Sequence, residues 1–168
     1  MVVLGLLSFG AIAFSQSPPV QSPEKTALER GDEALKKGDL ALARTEFEKA
    51  VRLEPKDAAA QTALGWVLAL EGQNEAAIEH LRAAIQAQPS FVNARLTLAS
   101  VLSEQGKTEE SEKELRTAVK IAPENAEVHR MLAKVLSTRP GEEAFSEMQR
   151  AVDLSPKRAD IQIGRAHV

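Results

Sequence analysis

The sequence predicts an all-α protein built as an array of stacked helix pairs, and three observations support this. Pro55, Pro89, Pro123 and Pro156 close the tetrapeptides RLEP, QAQP, KIAP and DLSP, at steps of 34, 34 and 33 residues. The apolar content of 43% rests on alanine and leucine, with aromatics at 4% and no tyrosine, a mix that favours close-packed helices over strands. Within a period, apolar residues recur at helical spacing: in AAIEHLRAAI, Ala77, Ile78, Leu81, Ala84 and Ile85 share one face.

The chain opens on MVVLGLLSFGAIAFSQSPPVQSPEK. Its apolar run, Val2 to Phe14, is short for a membrane span but suits the core of a signal peptide. Ala13 and Ser15 are small residues where a signal peptidase reads, so residues 1–15 are expected to be cleaved before Gln16, although no Lys or Arg precedes the run. Residues 16–23 read as a Pro/Ser-rich linker. The expected location is exported, periplasmic or secreted, if that signal is cleaved, and cytoplasmic otherwise.

Helices are then expected over 24–37, 40–53, 58–71, 74–87, 92–105, 108–121, 126–138 and 142–154, with Ser22 ahead of Pro23 and Glu24 as the first helix start. Gly38, Gly72 and Gly106 form a turn column where the chain reverses with φ > 0. Asp39, Asn74 and Thr108 follow as expected caps of the second helices, and Asp57, Ser90 and Asn125 as caps of the next first helices. Gly31, Gly65, Ala99 and Ala133 let paired helices approach, with Phe47, Leu81, Leu115 and Met148 opposite. Ala50, Ala84, Ala118 and Ala151 form another small column, and Ala43, Ala77, Ser111 and Ala144 a third. One pair cannot bury its stripe; about three stacked pairs can.

These columns in register resemble the tetratricopeptide repeat (TPR) from about Glu24 to Pro156. The resemblance implies a right-handed superhelical array with repeats at 24–57, 58–91, 92–125 and 126–158. The chain departs from the family pattern where an early aromatic is usual, having Ala27, Gln61, Arg95 and His129. Arg30 occupies the bulky position before the small column in the first copy, and the tyrosine-like column holds Ala34, Leu68, Leu102 and Leu136. These departures slightly weaken the packing argument for the first repeat and leave the family resemblance intact.

No catalytic chemistry emerges. With no cysteine there are no disulfides, thiolate sites or cysteine nucleophiles. His80, His129 and His167 lack metal-ligand spacing and read as surface or interface residues, so no cofactor or metal is expected. A net charge of −3, with both signs mixed along the chain, argues against nucleic acid as a partner. No stable membrane span is expected, and oligomeric state is not legible.

What remains is a surface. In the resembled family, first helices line a concave groove that grips peptides or partner proteins. The matching positions here are Leu28, Asp32, Thr62, Trp66, Asn93, Leu96, Ser100, Arg130 and Lys134, spaced to face away from Leu64, Leu68, Leu98 and Leu102. Trp66, the single tryptophan, reads either as a binding anchor or as a ring lying across neighbouring helices to stabilise stacking. One class in the family clamps a terminal carboxylate with lysine, asparagine and arginine; Leu28, Asp32 and Ala63 stand at matching positions, so that clamp and chaperone-tail ligands are not expected. The groove reads as apolar near Leu28, Trp66 and Leu96 and basic towards Arg130 and Lys134, suiting a segment with one hydrophobic anchor and nearby acidic residues.

After Pro156, residues 159–162 begin a fifth repeat that Gly164 interrupts. IGRAHV followed by a stop resembles the translation of a common short-read sequencing adapter, so 163–168 is expected to be adapter-derived and the repeat truncated. The expected function is a non-catalytic protein-interaction scaffold. Alternatives are an amino-terminal recruitment module of a larger protein, such as an enzyme, or a structural subunit in cell-envelope assembly.

Overall fold

The structure, a computed structural model, describes residues 26–138 and 141–155. The expected signal peptide, linker, fifth repeat and adapter-derived tail lie outside the described residues, as do Ser22, Pro156 and His167. Among the described residues there are eight helices and no strand: α1 (Ala27–Lys36), α2 (Leu40–Leu53), α3 (Ala58–Leu70), α4 (Asn74–Ala87), α5 (Val92–Glu104), α6 (Thr108–Ile121), α7 (Ala126–Leu136) and α8 (Glu143–Leu154). Each odd helix packs on the even helix that follows, each even helix on the next odd one, and α3, α5 and α7 touch in series. This is an all-α repeat array.

The turns explain the 34-residue period. Gly38, Gly72 and Gly106 have φ of 77°, 77° and 73°, the left-handed region that side chains disfavour. Their N–H groups bond Leu35, Ala69 and Ser103 carbonyls, while those of Asp39, Gln73 and Lys107 reach back to Ala34, Leu68 and Leu102 at 2.8–2.9 Å. That is the Schellman closure, and its last residue is already the N-cap of the next helix. The expected caps therefore need correction. Asp39 does cap α2, but Gln73 and Lys107 hold the equivalent place, with no side-chain cap bond, and Asn74 and Thr108 are first helical residues. At the following boundary Asp57 and Asn125 cap α3 and α7, whereas Phe91, not Ser90, precedes α5. The start of α1 also moves, to Ala27, because Thr26 and Glu29 form a reciprocal capping box there.

The core follows the columns. Phe47, Leu81 and Leu115 are fully buried, with Phe47 and Leu81 facing Gly31 and Gly65 in the first two pairs. Met148, the fourth of that column, is 43% exposed, at the edge of the described residues. Leu64, Leu68, Leu98 and Leu102 are buried as expected. Ser111 replaces alanine without leaving an orphaned hydroxyl, since its Oγ donates to the Ala99 carbonyl at 2.7 Å.

The departures from the aromatic column turn out to be a polar latch. Gln61 Nε2 donates to the Pro55 carbonyl at 2.9 Å, Arg95 Nη2 to that of Pro89 at 3.0 Å, and His129 Nε2 to that of Pro123 at 2.8 Å. Each also reaches the second helix of its own pair: His80 Nδ1 donates to Gln61 Oε1 at 2.7 Å, Arg95 Nη1 to Glu114 Oε2 at 2.5 Å, and His129 Nδ1 to Glu147 Oε2 at 2.6 Å. Both ring nitrogens of His129 thus face oxygen atoms, one on the preceding turn and one on α8. In the first pair Ala27 cannot do this, and Arg30 pairs with Glu46 at 2.8 Å instead. Reading His80 and His129 as surface or interface residues missed this role: His129 is 5% exposed and His80 is half-buried.

Candidate partner-binding groove

The first helices α3, α5 and α7 present one face to a shared cavity of about 380 Å³. It brings together Trp66, Leu96, Ser100, Arg130 and Lys134 from the expected set. Leu28, Asp32, Thr62 and Asn93 are outside its lining. Leu28 is half-buried against the Ala27–Ala50–Ala60 cluster, and the Thr62 hydroxyl donates to the Ala58 carbonyl within its own helix at 2.6 Å. Asp32 and Asn93 are both exposed and clear of the cavity.

Trp66 is 45% exposed, and Leu70, one turn on, is 52% exposed. Together with Leu96 and Met131 they give the cavity an apolar side. Leu70, Met131 and Glu104 belong to the lining though sequence reasoning passed over them. Leu70 carried a readable signal, its i+4 spacing from Trp66. The opposite side is charged. Arg130 is hydrogen-bonded to Glu127, the main cause that pushes its guanidinium pKa up, so that charge is largely spoken for. Lys134 is exposed and makes no ion pair among the described residues.

A larger cavity of about 830 Å³ lies between the α6–α7 turn and α8, lined by Pro123, Ala126, Met148, Ala151 and Val152. It reaches Ser155, where the described residues end. Among the described residues no helix is long and apolar enough to cross a membrane, and no group of three or more His, Cys, Asp or Glu is placed to hold a metal ion.

Two models of the tetratricopeptide repeat match the sequence, over residues 28–90 and 68–135, and together they span most of the array. The chain belongs to the tetratricopeptide repeat family. Solved structures agree on the fold. TTC0263, a thermophilic TPR protein of Thermus thermophilus, superposes with a TM-score of 0.74 at 21% identity, covering 86% of this chain and 81% of its own. The protein MamA superposes at 0.71 and 21% identity, with 80% and 79% covered. A MamA from Desulfovibrio magneticus, residues 41 to the end, gives 0.66 at 23%, with 75% and 72% covered. A comparison with curated proteins found no match.

Proposed function

We propose that this protein is a non-catalytic scaffold that binds a peptide or partner protein in the groove of α3, α5 and α7. One observation supports this most directly: the single tryptophan stands 45% exposed in a concave cavity, beside a similarly exposed Leu70. A large aromatic left half in water on a concave face is a ready anchor for an apolar side chain. Lys134 beyond it favours an acidic residue next to that anchor. With residues 1–15 read as a signal peptide, this binding belongs to an exported protein.

The test is Trp66→Ala against a blocked peptide carrying leucine flanked by glutamates. Loss of an interface anchor costs about 2 kcal/mol or more, so Kd should rise at least tenfold while helicity and melting temperature stay close to wild type. A large fall in melting temperature with unchanged binding would assign the ring to helix stacking instead.

A further inference from the structure

Four residues at one register position, Asp32, Trp66, Ser100 and Lys134, occupy successive first helices at 34-residue steps. By register they form a row that runs from a carboxylate through an aromatic ring and a hydroxyl to an ammonium; Trp66, Ser100 and Lys134 line the cavity, and Asp32 lies beyond it on α1. Asp32 and Lys134 at the two ends are exposed, and neither makes an ion pair among the described residues. Lys36, one turn beyond Asp32 on α1, is also exposed, whereas two other charges nearby are engaged. Glu29 on α1 accepts from the Thr26 N–H at 2.7 Å in the capping box, and Arg130 is bonded to Glu127. Glu104 at the end of α5 lines the same cavity, one turn beyond Ser100, and disfavours an acidic residue over α5.

On the groove reading given above, we propose that the ligand is an extended segment that is basic at the end lying over α1, apolar in its middle and acidic at the end lying over α7. Packed helices sit roughly 8–10 Å apart, so the two steps from α3 to α7 span about 20 Å. An extended chain covers that with about six residues at ~3.3 Å each, and a few more carry it on towards α1. The middle of the segment then meets Trp66 and Leu70, the exposed large apolar residues of the groove. Opposite charges at the two ends fix the direction in which the segment lies, which a purely apolar groove could not do.

Trp66 is the only tryptophan, so its fluorescence reports on the groove without a label. The full chain is titrated with three blocked peptides of about ten residues. One has two arginines at its amino end, two central leucines and two glutamates at its carboxy end; the second is its sequence reversal; the third has serines in place of all the charges. Exposed ion pairs are weak, so each end should contribute about threefold, and the better-oriented charged peptide should bind about tenfold tighter than the neutral one. That advantage should shrink with added salt. Asp32→Asn and Lys134→Gln should each lose about threefold, and the exchange D32K/K134E should invert the preference between the charged peptide and its reversal. If all three peptides quench Trp66 with equal affinity, the groove binds but this ligand class is wrong. If none perturbs Trp66, the groove reading falls as well.

Discussion

Replacing Arg95 tests whether the polar latch holds the array together. Its side chain is 11% exposed and carries three donations, Nε and Nη2 to the Pro89 carbonyl and Nη1 to Glu114, whose own side chain is 23% exposed. Removing one partner of a fully buried pair costs about 3–5 kcal/mol, but Glu114 retains some water, which brings the cost down. A charge-assisted hydrogen bond contributes about 1.5–3 kcal/mol, so Arg95→Ala should destabilise by about 2–3 kcal/mol once lost packing of the stem is included. Arg95→Gln should cost less, about 1–2 kcal/mol, because Gln61 shows that a glutamine at this register still reaches the boundary proline carbonyl. The decisive variant is R95Q/E114H, which writes the Gln61–His80 pair of the second repeat into the third. Its two changes should be non-additive, recovering about 0.5–1 kcal/mol relative to the sum of the singles. The assay is urea unfolding followed by helical circular dichroism, compared only among variants with equal m. An R95A midpoint within about 0.5 kcal/mol of wild type, the range of ordinary surface changes, would refute the latch.

Two further outcomes follow from the same geometry. A methyl at Gly31 would press on the fully buried Phe47 ring, 2.5 Å from Cδ1 and 2.8 Å from Cζ. Overpacking of about 1–3 kcal/mol exceeds the roughly 1 kcal/mol gained in helix propensity, so Gly31→Ala should lower stability by about 1 kcal/mol. G31A/F47L should restore it, copying the Ala99 and Leu115 combination of the third repeat; no recovery in the urea midpoint would contradict the steric reading. His80 is kept neutral by burial, which lowers its pKa below 6.5 against the opposing pull of Glu79 and Glu48. A lowered histidine pKa means the unfolded chain takes up the proton first, so this contribution is complete above about pH 6.5 and fades as pH falls towards the folded-state value. Wild type should therefore lose more melting temperature than His80→Gln between about pH 7 and pH 5; equal losses would exclude the effect.

The helices, their pairing and most of the core were legible because one period carried them. Apolar spacing, the turn glycines and the boundary prolines all point to the same boundaries, and α2, α4 and α6 fall where the pattern puts them. The caps were misread by one residue because Asn74 and Thr108 are good cap types, whereas the Schellman closure forces the cap onto Gln73 and Lys107 regardless of their chemistry. The latch was not legible in one column. Ala27, Gln61, Arg95 and His129 share no residue class, and their common task shows only beside the partner column of His80, Glu114 and Glu147, 18 or 19 residues on. Of the groove, the first-helix positions were readable by register. Which of them converge was not, since that depends on how α3, α5 and α7 are juxtaposed.

The latch and the groove also explain each other's freedom to vary. Gly31 and Gly65 stay small because a second helix presses on them, Ala99 and Ala133 continue that column, and each is followed by a residue of the row Asp32, Trp66, Ser100 and Lys134. Neighbours in sequence are about 100° apart around a helix, so one position is fixed by packing while the next, at Trp66, Ser100 and Lys134, lines the cavity of α3, α5 and α7. The latch, the glycine turns and the small columns hold successive pairs at constant register without drawing on that row. Its four residues therefore differ in charge, size and polarity while the columns beside them stay small.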